Sequence, residues 1–280
     1  MRALCLIASI ALVVAGPALA AATPSLTSNS RASVVGGGSG GNFDDHTLPS
    51  ATAPTSLSSA ASQTLANGAY AHSSATSAFG EANVYADGFV PLSPDQNFSN
   101  SQAQGYAEFI DYIPGDQVGG GNYSLNLLVS GFHTLTNGLI SITAASFLNY
   151  TVMDTSTNSD VTFGNWNSTD AAPTANILDS FTMATGHGIQ LRVMFEADTY
   201  TTNNSPSPSG IGYGEYPVVA DYSHTLKVYL DGPSPIIGLS GHDYSTPPTS
   251  VPEPATWALM LTGLGGMGLV LRCRRAMGGA

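Results

Sequence analysis

The feature that most constrains the fold of this chain is a period-two alternation of apolar and polar residues. It is clearest at 188–198, where every second side chain is apolar. Such alternation is typical of a strand with one buried face, because successive side chains of a strand point to opposite sides. No amphipathic helix of useful length appears before the tail. The residues predicted to point inward are Ile189, Leu191, Val193, Phe195 and Ala197.

Short strands separated by turn signals predict an antiparallel β-sandwich of jelly-roll or Greek-key type. The fold class is therefore mainly β, with the sandwich domain at 65–244, an N-terminal signal helix and a C-terminal transmembrane helix. Further strands are predicted within 69–85 and at 105–113, 177–185 and 218–230, and the turn signals are Asn67-Gly68, Asp87-Gly88, Pro114-Gly115 and Asp231-Gly232.

The best-defined unit is a hairpin that spans residues 123–153. Asn137-Gly138 is the strongest short signal for a two-residue type I′ turn, and such a turn makes the numbers of paired residues add to 275. This register joins the apolar faces of both strands, so the turn and the core pattern predict the same pairing. The predicted pairs include Leu135–Ile140, Leu127–Leu148 and Leu125–Tyr150.

The segments on either side of the predicted sandwich have a different composition. Residues 21–64 are dominated by Ala, Ser, Thr, Gly and Pro, with too little apolar periodicity to offset the entropy of ordering. A low-complexity, disordered segment is expected there. Residues 245–251 are predicted to form a stiff, Pro-rich spacer between the sandwich and the tail.

The tail consists of a Pro-Glu-Pro turn, an apolar run and a cluster of arginines. Pro252 and Pro254 lack amide donors, so a helix begins no earlier than Pro254. The run 255–271 has 17 uncharged residues, which as a helix give about 25 Å, the short end of a membrane span. Trp257 suits the membrane–water boundary. The arginines that place the C-terminus in the cytoplasm are Arg272, Arg274 and Arg275.

The tail at 251–275 closely resembles the PEP-CTERM protein-sorting signal of Gram-negative bacteria, in the variant with Pro-Glu-Pro-x-x-Trp-Ala before the apolar run. The resemblance implies cleavage at or near Pro-Glu-Pro by an exosortase, a membrane transpeptidase-like enzyme. It also implies an inner-membrane anchor before processing and release to the cell surface or an extracellular polysaccharide matrix. Cys273 departs from the pattern by interrupting the arginines. The matching residues are Pro252, Glu253, Pro254, Trp257, Ala258, Arg272, Arg274 and Arg275.

The N-terminus has the three regions of a secretory signal peptide. Met1-Arg2 is followed by an apolar run at 3–15 and then by small residues. Ala18 and Ala20 satisfy the small-x-small rule, so signal peptidase is expected to cleave after Ala20 and remove 1–20. The chain is thus expected to be exported across the inner membrane.

Composition excludes several functions for the exported body, residues 21–251. Both cysteines, Cys5 and Cys273, lie outside it, which excludes disulfides, a catalytic thiol and cysteine-based metal sites there. The body has three basic residues against 18 acidic ones (19 in the whole chain, less Glu253), a net charge of −15. This balance argues against nucleic acid, and against anionic polysaccharide bound through a basic patch.

No catalytic or zinc-binding pattern stands out in the body. His133 is expected to be a packed strand-end histidine opposite Ile142, because a general base needs a partner that the sequence does not place. His187 lies in a hairpin turn by composition, and His224 is in phase with the last strand. Gly238–His242 nearly matches G-x-S-x-G but lacks the strand-to-helix elbow of a serine hydrolase.

Two kinds of ligand remain open. Acidic loop residues offer oxygen ligands for structural Ca²⁺, although none has EF-hand spacing. Loop aromatic rings could stack on sugars, although such residues more often pack against the protein. The acidic candidates are Asp44, Asp45, Asp154, Asp160 and Asp198, and the aromatic candidates are Trp166, Tyr200, Tyr213 and Tyr216.

The sequence therefore predicts a non-enzymatic exported surface or matrix protein, associated with exopolysaccharide or biofilm. The expected partners are signal peptidase, an exosortase, extracellular polysaccharide and, before processing, the membrane; neither a cofactor nor nucleic acid is expected. The alternatives are a secreted carbohydrate-binding module and, less favoured, a secreted hydrolase. A hydrolase predicts two or more titratable groups that converge in a pocket.

Overall fold

The computed structural model describes residues 22–35, 42–49, 51–66, 68–91, 99–134, 143–168, 174–203 and 217–246. Within these ranges the chain forms strands, connecting turns and a single 3-10 turn at Gly115–Gln117. The strands are β1 (Ser25–Val35), β2 (Asn42–Pro49), β3 (Ser56–Thr64), β4 (Tyr70–Ala78), β5 (Glu81–Phe89), β6 (Ser99–Ile113), β7 (Gly121–Val129), β8 (Phe132–Thr134), β9 (Thr143–Asp154), β10 (Ser159–Asn167), β11 (Ala175–Met183), β12 (Ile189–Asn203) and β13 (Val218–Asp231).

The strands form two sheets that pack face to face around one core. Sheet A has the order β10-β9-β12-β6-β1-β2. Sheet B has the order β11-β7-β13-β5-β4-β3, with the short β8 beside β13. All neighbouring strands are antiparallel, which confirms the mainly β, antiparallel architecture. The jelly-roll or Greek-key assignment stays a prediction.

The alternation at 188–198 correctly predicts the buried face of β12. Its odd-numbered side chains from Ile189 to Ala197 are fully buried, whereas Arg192 is exposed. The last strand, β13, follows the same rule, because Leu226, Val228 and Leu230 are buried. The strands β6 and β13 end at Ile113 and Asp231, beside the predicted turn signals.

The predicted hairpin over 123–153 is wrong, because its two strands lie in different sheets. β7 pairs with β11 and β13 in sheet B, and β9 pairs with β10 and β12 in sheet A. The alternation identifies the buried face of each strand, but it does not say which strand lies beside it. Asn137-Gly138 and the pair Leu135–Ile140 lie outside the described residues. The observed pairs are Leu127 with Ile177 and Val228, Leu148 with Trp166 and Phe195, Leu125 with Asp179 and Leu230, and Tyr150 with Gly164 and Val193.

The predicted turn at Asp87-Gly88 is also wrong, because both residues lie inside β5. Asp87 has a partner on the neighbouring strand, since its Oδ1 lies 3.0 Å from His72 Nδ1. The chain reverses instead at Phe79-Gly80, where Gly80 has a φ of 75°. Only glycine adopts this backbone without a steric cost.

The segment 21–64, predicted to be disordered, contains β1, β2 and β3. β1 lies between β2 and β6 in sheet A, and β3 pairs with β4 in sheet B. The prediction fails because serine and alanine on the buried face differ little in hydrophobicity from the polar residues that alternate with them. The period of two is present in the structure, but the composition does not reveal it. The sandwich therefore begins at Ser25 rather than at residue 65. The inward residues of β1 are Leu26, Ser28, Ser30, Ala32 and Val34, all fully buried.

Buried serines join the two sheets where β1 faces β3 and β4. Ser59 Oγ of β3 lies 2.9 Å from Ser28 Oγ and 2.8 Å from Ser30 Oγ, both on β1. Ser28 Oγ also donates to the backbone oxygen of Ala75 at 2.9 Å. These bonds satisfy hydroxyls that burial would otherwise leave without partners. We call the surrounding core the small-residue region; it comprises Ser28, Ser30, Ser59, Ser73, Ala75, Ala86, Ala103, Gly105 and Ala107.

Residues 232–246, the closing segment, return to the sandwich and are fixed by the buried carboxylate of Asp111. Ser240 Oγ donates to Asp111 Oδ2 at 2.5 Å, and the fully buried Tyr244 OH donates to the same oxygen at 3.0 Å. Leu230 N donates to Tyr244 O at 2.8 Å. The folded body thus extends to 246, two residues into the predicted spacer 245–251.

The chain divides into two compact units, Met1–Thr246 and Pro247–Ala280. The second unit lies outside the described residues, as do the predicted signal helix at 1–20 and the predicted transmembrane helix at 255–271. In the part of the chain that is described, no helix is long and apolar enough to span a membrane.

Candidate functional site

A cavity of about 460 Å³ lies at one end of sheet A, where β6 and β9 end and β12 begins. Its floor is a row of three cross-strand neighbours, Tyr112, Gln190 and Met153. All three are partly exposed, since they alternate with the inward residues of their strands. A phenol ring, an amide and a thioether thus form one continuous surface. We call this site the turn cavity.

Three turns form the walls of the turn cavity. The first follows β6 at Pro114-Gly115, the second joins β9 to β10 through 155–158, and the third joins β11 to β12 through 184–188. Asn158 has a φ of 53°, in the left-handed region that asparagine tolerates better than most residues. Leu239 of the closing segment also contributes to the lining.

Asp154 and His187 hold the second and third turns together. His187 Nδ1 lies 2.7 Å from Asp154 Oδ2, and Asp154 Oδ1 accepts the backbone amide of Ser156 at 2.8 Å. Thr155 N donates to Gly188 O at 2.9 Å. Burial alone would raise the pKa of Asp154, but hydrogen bonds from His187 and from the turn amides outweigh it and lower this pKa. The walls are therefore fixed by the fold.

None of the residues that line the turn cavity carries a charge. Its floor supplies apolar surface from Tyr112 and Met153. Its polar side-chain groups are the amides of Gln190 and Asn158 and the hydroxyls of Ser156, Thr155 and Tyr112. A mostly apolar pocket with a few polar groups is typical of a small-molecule site. The arrangement suits the binding of an uncharged ligand that has both an apolar face and hydroxyl groups.

A second polar surface lies further along the outer face of sheet A. Arg192 Nε donates to Glu108 Oε1 at 2.5 Å, and Tyr106 OH donates to Glu108 Oε2 at 2.9 Å. The bond to Glu108 raises the pKa of the Arg192 guanidinium, and burial, followed by the Glu108 charge, raises the pKa of Tyr106. Arg192 and Tyr106 thereby each donate a hydrogen bond to the Glu108 carboxylate.

Two carboxyl groups adjoin this network on β12. Gln104 Nε2 donates to Glu196 Oε1 at 2.6 Å. Burial, and then the neighbouring Glu196, raises the pKa of Asp198 to about 7. A second groove, of about 230 Å³, lies on this face, and neither Glu196 nor Asp198 lines the turn cavity. Residues of that groove include Arg31, Gln104 and Tyr106.

His133 is packed at a strand end, as predicted. Its Nε2 lies 2.9 Å from Ser168 Oγ and 3.0 Å from Tyr222 OH. Its ring meets that of Tyr222 edge-on, with centroids 5.5 Å apart. The strand partner is Ala220 of β13, whereas the predicted partner, Ile142, lies outside the described residues.

Two further histidines, His187 and His242, are also held by their surroundings. His187 lies in a turn, but this turn connects sheet B to sheet A, so the predicted hairpin there is wrong. His242 packs edge-on against Tyr244, with centroids 4.6 Å apart, and burial lowers its pKa. The side chain of His224 lies outside the described part of the chain.

Gly238–His242, the near match to G-x-S-x-G, forms part of the closing segment rather than a strand-to-helix turn. Ser240 is 2% exposed, and its hydroxyl donates to the Asp111 carboxylate. A serine nucleophile needs an exposed oxygen that bonds to a general base. The structure gives Ser240 the role of fixing the closing segment.

The acidic and aromatic ligand candidates that the structure describes lie on four different strands. Among the described residues, no group of three or more metal-binding side chains could hold a metal ion. Trp166 lies in β10 rather than in a loop and packs against the core, 6.3 Å from Tyr222 between ring centroids. Tyr200 lies in β12, while Tyr213, Tyr216 and the side chain of Asp44 are outside the described residues. The other candidates lie on β2 (Asp45), β9 (Asp154), β10 (Asp160) and β12 (Asp198).

The sequence reasoning missed the residues of the turn cavity. Tyr112 and Gln190 lie in predicted strands, at 105–113 and 188–198, but the local pattern does not distinguish them from their neighbours. The incorrect hairpin gives Met153 the wrong neighbouring strand. A usable signal was their position beside glycine turns, since Gly115 follows one strand and Gly188 precedes another. That these strand ends adjoin in one sheet depends on long-range pairing, which the local pattern does not contain.

The family model of the PEP-CTERM protein-sorting motif matches residues 250–275. The chain carries a PEP-CTERM sorting motif. This confirms the predicted resemblance of the tail, whereas the sandwich lies outside the match. No curated protein and no solved structure matches the chain.

The PEP-CTERM motif implies export, membrane-anchored sorting and then placement at the surface, with an exosortase as the processing partner. The assigned sorting and cleavage residues all lie outside the described residues, so their individual roles stay predictions. They are Ala18 and Ala20 for the signal, and Pro252, Glu253, Pro254, Trp257, Arg272, Arg274 and Arg275 for the tail.

Proposed function

We propose that this chain is a non-enzymatic protein of the surface or extracellular matrix of a Gram-negative bacterium, associated with exopolysaccharide or biofilm. The PEP-CTERM motif at 250–275 carries the proposal. Signal peptidase removes 1–20, the apolar helix holds the chain in the inner membrane, and the exosortase cleaves at or near Pro252-Glu-Pro254. The described residues between Leu26 and Tyr244 share one buried core, which gives the route a folded body to export.

The side chains of the sandwich support a role without catalysis. His187 is engaged by Asp154, His133 by Ser168 and Tyr222, and the Ser240 hydroxyl by Asp111. The turn cavity offers neutral groups for binding rather than an acid–base pair. Incubation with polysaccharide purified from the producing strain should release no new reducing ends, and their steady release would contradict this part of the proposal.

The sorting step is tested in a host with an active exosortase. Glu253→Ala, or deletion of 272–275, should leave the chain unprocessed in the membrane, while Asp160→Ala, a change in an exposed residue of β10, should be processed normally. Mass spectrometry of the secreted and membrane fractions gives the mature ends. An intact tail on the secreted wild-type chain would overturn the proposed cleavage.

A further inference from the structure

We propose that the turn cavity binds an uncharged saccharide unit and is the site through which the sandwich contacts extracellular polysaccharide. This inference rests on the proposed function and assigns it to particular residues: Tyr112, Met153 and Gln190 on the floor, and Asn158 and Ser156 on the rim.

The size of the turn cavity fits a small ligand. Its volume of about 460 Å³ falls within the range of about 300–1,000 Å³ that is typical of small-molecule sites. The cavity lies beside the outer face of sheet A, where three strand ends meet. A ligand bound there is thus held at one end of the sandwich, where a longer chain can continue into solvent.

The chemistry of the lining matches that of a sugar ring. A pyranose has an apolar face of C–H groups and a rim of hydroxyls that both donate and accept hydrogen bonds. The Tyr112 ring and Met153 provide the apolar surface. The amides of Gln190 and Asn158 each contain a donor and an acceptor, so each amide can bond two neighbouring hydroxyls.

The absence of charge in the lining selects a neutral ligand. A charged sugar would lose hydration without gaining an opposite charge from a side chain of the lining, since none of these side chains is charged. The exported body adds a net charge of −15 (three basic and 18 acidic residues), which repels anionic polymers. A neutral hexose or N-acetylhexosamine avoids both costs.

The walls of the turn cavity are formed before any ligand binds. The Asp154–His187 contact of 2.7 Å and the Thr155–Gly188 bond of 2.9 Å fix two of its three turns. Little conformational freedom is then lost on binding. The groove over Arg31 and Tyr106 is a poorer candidate, because its volume is only about 230 Å³ and two of its polar groups are already engaged. Tyr106 OH donates to Glu108, and Gln104 Nε2 donates to Glu196.

The test uses the full chain, purified in a detergent that contains no sugar, and isothermal titration calorimetry. The probes are neutral di- and trisaccharides of glucose, galactose, mannose and N-acetylglucosamine, with a galacturonic acid trisaccharide as the anionic probe. At least one neutral probe should bind, and the anionic probe should not. If no neutral probe binds, or if the anionic probe binds better, the proposal is overturned.

Two variants and a control assign binding to the cavity. Asn158→Gly removes an amide while glycine retains the left-handed backbone, so the fold is preserved. Both Asn158→Gly and Gln190→Ala should weaken binding about tenfold, with unfolding midpoints close to that of the wild type. Asn165→Ala, at an exposed position of β10 outside the cavity lining, should bind normally. Wild-type affinity in both cavity variants would refute the site.

Co-sedimentation with polysaccharide from the producing strain separates the two proposals. If wild type and cavity variants sediment equally well, association with polysaccharide stands and the turn cavity is the wrong site. If the wild-type chain does not sediment, both the site and the proposed association fail. If the wild-type chain sediments but Asn158→Gly and Gln190→Ala do not, both the association with polysaccharide and the site are supported.

Discussion

Gly105 lies on β6 where the two sheets approach each other within the small-residue region. A Cβ atom at this position would stand 2.5 Å from the backbone oxygen of Ser74 and 2.9 Å from that of Tyr85. Both oxygens belong to strands of sheet B, so neither can move without disturbing the strand pairing. The sheets can approach this closely at Gly105 because the residue has no Cβ atom.

Gly105→Ala should lower the free energy of unfolding by about 2–3 kcal/mol, the cost of overpacking a close-packed core. Gly119→Ala is the matched control, because its nearest neighbour, in the side chain of Pro233, would be at an ordinary contact distance of 3.4 Å. Urea unfolding followed by circular dichroism measures both variants. Equal midpoints for the two variants would show that the sheets can separate at Gly105.

Asp198 makes the stability of the sandwich depend on pH. Its folded-state pKa is raised to about 7, whereas an unfolded aspartate has a pKa of about 3.9. Between these values the folded chain retains a proton that the unfolded chain has lost, so this residue's contribution falls as pH rises from about 4 to 7. Below that window both states are protonated, and above it both are ionised.

Asp198→Asn should therefore stabilise the protein more at pH 8 than at pH 4, relative to the wild type. Urea midpoints at several pH values measure the difference, and Asp160→Asn controls for the loss of one negative charge from the body. A gain from Asp198→Asn that is the same at pH 4 and pH 8 would mean that the Asp198 carboxyl does not titrate as described.

At the scale of elements, β1 shows how a strand's position in the sheet determines the protection of its amides. It has neighbours on both sides, with β2 and β6 in continuous register, although its sequence is polar and rich in serine. Its amides are therefore bonded to one neighbour or the other along most of its length. Protection from exchange follows from this position rather than from hydrophobicity.

Hydrogen–deuterium exchange followed by mass spectrometry should find peptides from 25–34 protected about as well as those from β12. Peptides from β10, an edge strand of sheet A, should exchange faster because half of its amides have no strand beside them in the described part of the chain. Complete exchange of 25–34 within seconds would show that this segment is disordered, as its composition suggests.

The sequence predicts the β architecture well where side chains give strong contrast. Ile189, Val193 and Phe195 alternate with polar residues, so the buried face of β12 could be identified without a structure. The same reasoning failed for Ser28 and Ser30, because a serine in the core and a serine in a loop look alike in sequence. Their burial depends on cross-sheet bonds to Ser59, which is distant in the chain.

The sequence predicts strand partners less well than it predicts buried faces. Because the turn cavity depends on strand partners, the sequence does not predict it. Leu127 and Leu148 have the buried orientation that the alternation requires, yet they lie in opposite sheets. The cavity needs Tyr112, Met153 and Gln190 to be neighbours, and they come from three strands. Only the pairing of β9, β12 and β6 brings them together.

At the scale of the whole molecule, the cysteine-free body depends on its core and on internal hydrogen bonds. Cys5 and Cys273 are both outside residues 21–251, so a change of redox environment during export leaves the covalent structure of the body unchanged. Within the described residues, the closing segment is fixed to the sandwich by Tyr244, which is buried beside Asp111.

The buried serines and alanines also affect how the protein responds to temperature. The heat capacity of unfolding increases with the apolar area exposed and decreases with the polar area. Unfolding of the small-residue region exposes short side chains and hydroxyls. The heat capacity of unfolding of the whole body should therefore be below the usual value of about 12–15 cal/mol/K per residue. Differential scanning calorimetry measures this quantity, and a value within that range would contradict the argument. With a smaller heat capacity of unfolding, the free energy of unfolding changes less steeply on either side of its maximum, so the body should keep its stability over a wider range of temperature.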